Sequence, residues 1–349
     1  MVFESGRAIG QRAHRLRTAV EAFVTATLGN KMGSKGACRP YIGQNPNVHR
    51  LTMKRILVTG VSGFLGRYVA TTLMHQYVVL GTYRSHAPGL DAGEPTRLDL
   101  SDMEGVHTTF RKFRPDVVVH AAALGDVDAC EQHPNDAYDV NVRGTEAIAQ
   151  ATVAVGARLI YISTDQVYDG DKGHYDEADV PQPLMVYGRT KLEGEHRAVA
   201  VCRDTVILRL ALLYGWGIPT RLNFVDWLVA RLRAGQEVPL FVDQYRTPLY
   251  VVQAAEAIRR LIDAPEVRET FFNLGGGERI NRYAFGLKCC EIFDLPKALL
   301  KPIEMSLTGG LAARPRDCSM NSSKIGSRLQ IVPLTVEEGL RTMRHQRGC

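Results

Sequence analysis

The segment Gly60-Val61-Ser62-Gly63-Phe64-Leu65-Gly66 constrains the fold more than any other stretch of the 349 residues. It follows a β-branched run, Arg55 to Thr59, and precedes a helical pattern from Arg67 to Gln76. Glycines at GxxGxxG spacing between a strand and a helix meet three needs: a tight turn, close approach to a pyrophosphate, and close helix–sheet packing. Amides at the helix start then face the phosphates, and the helix dipole favours their charge. Gly60, Ser62, Gly63, Phe64, Leu65 and Gly66 are therefore the expected dinucleotide contacts. The expected fold is α/β: a Rossmann-type doubly wound parallel sheet with a smaller, discontinuous α/β lobe.

The second strand reads Val78 to Tyr83. An acid near its end would bond the ribose hydroxyls of NAD. Arg84 stands there instead. A guanidinium matches a phosphate by charge and fork geometry, so NADP(H) is favoured, with NAD(H) still open. Arg97 to Leu100 is a strand end at which Asp99 and Leu100 border the adenine. Asp116 to Ala123 reads as a buried strand whose small Ala121 and Ala122 leave room for the cofactor. His120 reads as a hydrogen-bonded structural histidine rather than a catalytic one.

A further buried strand, Leu159 to Thr164, ends in hydroxyls. Tyr187 and Lys191 open a helix four residues apart, so they share one face. A free phenol, with a pKa of about 10, is a poor proton donor and acceptor at neutral pH. An ammonium nearby favours the phenolate and is expected to lower that value. Thr164, Tyr187 and Lys191 are the expected catalytic residues. YxxxK alone is weak; after the glycine loop and a strand ending in Ser163-Thr164 it is strong.

These segments together resemble an extended short-chain dehydrogenase/reductase. More narrowly, the chain is similar to the dTDP-4-dehydrorhamnose reductase group and to the regulatory β subunit of methionine adenosyltransferase. The resemblance runs through His120-Ala121-Ala122-Ala123, Val127-Asp128, Glu131, Asn141-Val142, and Ser163 to Gly170. It continues through Pro183 to Glu195, Leu208-Arg209, Asp243 to Pro248, and Arg314-Pro315-Arg316-Asp317. It implies NADPH-dependent reduction of a 4-keto sugar nucleotide. Tyr187 would protonate the oxygen, Lys191 would tune Tyr187 and hold the ribose, and Thr164 would polarise the carbonyl.

The substrate side departs from the reductase pattern. Leu124-Gly125 replaces Tyr-Thr, Gln166 replaces a tyrosine, and Met185 replaces an asparagine. Each change removes a polar group that would read the sugar. Asp165, Gln166, Arg314 and Arg316 are the expected substrate residues, the two arginines as a diphosphate clamp. No metal is expected; Asp128 and Glu131 read as helix-start carboxylates. Two other outcomes remain: a non-catalytic, NADP-binding regulatory partner of a methionine adenosyltransferase catalytic subunit, and a sugar-nucleotide epimerase or dehydratase. A homodimer is also open.

The net charge of +6 does not point to nucleic acid. Residues 1–55 hold ten Lys/Arg and two acids, a surplus of eight, so the remaining 294 residues carry −2. Seven scattered cysteines without a CxxC fit a reduced, cytoplasmic setting. No apolar run reaches the roughly 18–20 residues a membrane span needs. Residues 1–52, including a helical pattern from Arg7 to Leu28, read as an extension apart from the fold. Three accounts stand: disorder, a true start at Met53, or an organelle transit peptide. The expected cofactor domain is 53–213 with about 241–275; the expected substrate lobe is about 214–240 with 276–349.

Overall fold

The structure, a computed structural model, describes residues 53–87, 95–217, 222–307 and 312–347. The readings of residues 1–52 lie outside the described residues.

Seven strands form one sheet: β1 (Arg55–Thr59), β2 (Val78–Tyr83), β3 (Thr96–Arg97), β4 (Val117–His120), β5 (Arg158–Thr164), β6 (Thr205–Leu210) and β7 (Phe271–Leu274). Their order is β7-β6-β5-β4-β1-β2-β3, and every neighbouring pair is parallel. A parallel sheet is covered on both faces, so its central strands are buried throughout rather than at alternate residues. All seven residues of β5 and all six of β6 are buried accordingly. The strand order reverses between β1 and β4, which opens a crevice at their carboxyl ends.

Helix α1 (Phe64–Leu73) and helix Val251–Asp263 cover one face, packing Val69, Leu73, Ile258 and Leu261 against Ile56, Val58 and Val119. Helix α2 (Met103–Phe113), the short α3 (Val127–Gln132), α4 (Gly144–Ala154) and α5 (Val186–Val201) follow. From α2, α4 and α5, Phe110, Ile148 and Ala198 cover the other face at Leu57, Val118 and Leu159. A second apolar cluster gathers helices Phe224–Arg233, Arg282–Ile292 and Val336–Arg347 with the parallel pair Val238–Phe241 and Leu300–Ile303.

Three boundaries differ from the sequence reading. Helix α1 starts at Phe64, not Arg67, because Gly63 closes a turn onto Gly60 O (2.9 Å) and serves as N-cap. Strand β4 stops at His120, not Ala123. The Thr59 hydroxyl accepts from Ala121 N and Ala122 N, each at 3.1 Å, in place of a strand partner. Within 276–349, helix Ser323–Leu329 returns to the sheet: it packs on β7 and helix Val251–Asp263, and Ile325 and Leu329 lie in the core of that face and not in the second cluster.

Candidate active site

The glycine loop borders a cavity of about 300 Å³ at the carboxyl ends of β1, β2 and β4. Of the expected cofactor residues, Gly60, Ser62, Gly63, Arg84, Asp99, Leu100, Ala121 and Ala122 line it; Phe64, Leu65 and Gly66 lie in α1, and Tyr187 and Lys191, also expected to contact the cofactor, lie outside its lining. Gly60 has φ +74°, and a Cβ there would come 2.8 Å from Ala122 N. A Cβ on Gly66 would lie 2.3 Å from Gly60 O, so this glycine serves helix–loop packing. Gly63 gives no side-chain cap, and the first turn of α1 has no acid. Its orphan amides suit an anion. Arg84 is exposed at the rim, its carbonyl accepting from Arg97 Nε at 3.1 Å. Hydrogen bonds from the Ser101 amide and hydroxyl hold the Asp99 carboxyl below its ordinary range. Uncapped amides, small residues and a rim guanidinium fit an anionic dinucleotide.

His120 lies under this crevice, fully buried. Its Nδ1 meets Thr59 Oγ1 at 2.7 Å and its Nε2 meets Thr145 Oγ1 at 3.2 Å. Burial drives its pKa down to about 3, so it is neutral. It steadies the same Thr59 hydroxyl that ends β4.

Thr164, Tyr187 and Lys191 come together where β5 ends against α5. Thr164 lies near enough to the Tyr187 hydroxyl to favour its ionised form. Thr164 Oγ1 donates to Asp165 Oδ1 (3.1 Å) and accepts from Gln166 N (3.2 Å). Helix α5 approaches closely here: a Cβ on Gly188 would lie 2.2 Å from Gln166 O. Asn141 sits in a five-residue π turn, Asp139–Arg143, bonding both backbone groups of Leu124 and the Thr190 hydroxyl. Such π turns frequently mark functional sites.

The electrostatics correct one expectation. Lys191 Nζ donates to Ile162 O at 2.7 Å and lies 4.0 Å from the centre of the Tyr161 ring. Burial lowers its pKa to about 7. Tyr187 is raised, not lowered: burial is the largest cause, followed by the Asp165 carboxylate, and Thr164 opposes both. Nor is Glu195 free to stabilise the ammonium by contact. It accepts from Ser163 Oγ at 2.5 Å and pairs with buried Arg209 at 2.6 Å.

A second cavity of about 90 Å³ begins at Asp165, the residue after Thr164. Of the expected substrate residues, Asp165, Gln166 and Arg314 line it. Arg316 does not; it is exposed, and only its carbonyl is used, accepting from Tyr245 N. The arginines that border this cavity are Arg246, Arg282 and Arg314, not the expected pair Arg314 and Arg316. Arg246 approaches Asp165 Oδ2 at 3.5 Å, an ionic contact that leaves this buried oxygen without a hydrogen bond. Arg282 Nε donates to Gln244 Oε1 (3.0 Å), and burial with its two cationic neighbours lowers its pKa to about 9. Arg314 pairs with Asp128 at 2.8 Å. Sequence reasoning missed Arg282, yet a signal existed. It opens helix Arg282–Ile292, where the dipole disfavours a cation.

Residues 53–348 match the family described as the RmlD substrate binding domain. A probable low-salt glycan biosynthesis reductase of Haloferax volcanii is 35% identical over 81% of this chain and 95% of its own length. The methionine adenosyltransferase 2 subunit beta of Pongo abelii is 32% identical over 83% of this chain and 86% of its own. Among solved structures, dTDP-4-dehydrorhamnose reductase from Bacillus anthracis, in complex with NADP, superimposes with a TM-score of 0.77. It is 26% identical, covering 84% of this chain and 100% of that one.

Proposed function

The chain belongs to the RmlD substrate binding domain family, and from that membership we propose that it is an NADP(H)-dependent reductase of a 4-keto-deoxysugar nucleotide. The observation that supports the reading is the gathering of Tyr187, Thr164 and Lys191 at the carboxyl end of β5, the strand next to β4 of the crevice. The residues of that crevice would hold a reduced nicotinamide, which when bound would supply the hydride for a carbonyl carbon. Tyr187 donates a proton to the carbonyl oxygen, and Thr164 orients that oxygen from the end of β5. Lys191, held between Ile162 O and the Tyr161 ring, when it carries its own proton steadies the phenolate left behind. Arg84 takes the ribose phosphate that distinguishes NADP(H) from NAD(H). Arg282 and Arg314, with Gln166, hold the diphosphate side of the substrate. Residues 53–213 with 241–275 serve as the cofactor domain and 214–240 with 276–349 as the substrate lobe, except that Ser323–Leu329 packs with the former.

The test is a panel of keto-sugar nucleotides offered with NADPH and with NADH, followed by loss of nicotinamide absorbance. Consumption of NADPH by a 4-keto-deoxysugar nucleotide supports the reading; no consumption across the panel rejects it. The likeness to the methionine adenosyltransferase subunit supports a second reading, a cofactor-binding regulatory subunit. An inactive panel together with stable co-elution of a methionine adenosyltransferase catalytic subunit favours that one.

A further inference from the structure

The six-residue helix α3 packs between the two halves of the site. It carries Cys130, buried and near enough to Tyr187 to act on its charge. It carries Asp128, paired with Arg314. It also carries Glu131, whose Oε1 accepts from Val186 N at 2.6 Å. Val186 is the first residue of α5, and Tyr187 is the second.

The start of α5 needs help from outside itself. Every helix leaves its first N–H groups without intrahelical partners. The N-cap of α5 is Met185, which offers no side-chain acceptor, and its first turn holds no acid. Glu131 supplies both the missing acceptor and the missing negative charge from 55 residues away. The turn it fixes is the one that aims the Tyr187 phenol at Thr164.

We propose that Glu131 is a positioning residue for Tyr187: its carboxylate anchors the first turn of the catalytic helix and so sets the phenol against Thr164 and the reacting carbonyl. This inference rests on Tyr187 being the proton donor of the proposed reduction. Glu131 itself touches neither cofactor nor reacting atoms. Misplacement by an ångström can cost about 100-fold in rate. Losing an ordinary cap would lower stability and leave turnover alone.

The anchor can be cut from either side. Glu131→Ala removes the acceptor. Val186→Pro removes the donor while keeping a residue suited to the first helical position, and Met185, at φ −118° and ψ 162°, already has the extended backbone that a following proline requires. Glu131→Gln keeps an acceptor oxygen. In the full-length protein, each of the first two is expected to lower kcat about 10- to 100-fold with little change in KM for NADPH. The double variant should fall no further than either single one, and Glu131→Gln should recover most of the rate.

A second readout needs no substrate: the NMR shift of the Tyr187 ring carbon bearing the hydroxyl, assigned by its loss in Tyr187→Phe. It should move in Glu131→Ala and in Val186→Pro and return in Glu131→Gln. An unmoved resonance, or normal kcat with only a lower melting temperature, overturns the proposal. So does loss confined to Glu131→Ala with Val186→Pro unaffected. A resonance that moves as stated in a protein inactive on the whole panel rejects the reductase reading and leaves the anchor standing.

Discussion

Tyr187 is pushed up by burial and by Asp165, while Lys191 is pushed down to about 7 by burial. The pair is therefore not a phenolate beside an ammonium. It is a neutral phenol beside a lysine that titrates near neutral pH, and a neutral phenol is the form that donates a proton. Tyr187→Phe removes that proton and little volume. NADPH consumption should vanish while NADPH affinity, read by nicotinamide fluorescence, stays within about twofold, since the loss falls on the transition state rather than on binding. Arg84 makes a separate prediction. A charge-assisted hydrogen bond contributes about 1.5–3 kcal/mol, so Arg84→Ala should weaken NADPH binding by at least about tenfold and leave NADH binding nearly unchanged. Equal losses for both cofactors in parallel titrations would show that Arg84 does not read the phosphate.

Between elements, the buried Glu195–Arg209 pair ties α5 to β6. Arg209 also donates to the Tyr168 hydroxyl at 3.0 Å, and that hydroxyl meets Asn273 of β7. Desolvation makes such a pair a weak source of net stability, but removing one partner strands the other charge at a cost of about 3–5 kcal/mol. Glu195→Ala should therefore lower the urea midpoint sharply, whereas Glu195→Gln, which keeps hydrogen-bond acceptance, should lose less. The same scale separates what patterning reaches from what it misses. The strand Val78 to Tyr83 was legible to the residue because its apolar run ends at Arg84. The end of β4 was not, because it is set by Thr59, 62 residues before Ala121. Likewise the arginines that line the second cavity are brought together by a short strand at Tyr245–Arg246, a helix start at Arg282 and a loop at Arg314, and no spacing links those three.

For the whole molecule, the cost of burying His120 appears as acid sensitivity. Its folded pKa, about 3, lies below the ordinary 6.5. Between those values the unfolded chain binds more protons than the folded one, so stability from this site is full above pH 6.5 and is lost as pH falls toward 3. The slope from one such group approaches about 1.4 kcal/mol per pH unit. Melting curves from pH 7 to 4 should fall more steeply for the natural protein than for His120→Asn, which keeps a hydrogen-bonding side chain without a titrating ring. The charge distribution belongs to this scale too. The surplus of eight sits in residues 1–55 and the remainder carries −2. Among the described residues, no helix is long and apolar enough to cross a membrane, and Cys130, Cys202, Cys289, Cys290 and Cys318 are unpaired.

The sequence by itself determined the parallel sheet, the glycine loop at its switch point, and the alignment of Tyr187 with Lys191. All three follow from local rules: strand and helix periodicity, the conformational freedom of glycine, and four-residue spacing on one helical face. Only the tertiary structure decided the ionisation of Tyr187 and Lys191, since burial is a property of the packed chain and reversed the expected effect of the lysine. Only it decided that Arg282, and not Arg316, lines the second cavity with Arg314. It also placed Glu131 at the head of α5, because a cap supplied from 55 residues away leaves no local pattern to read.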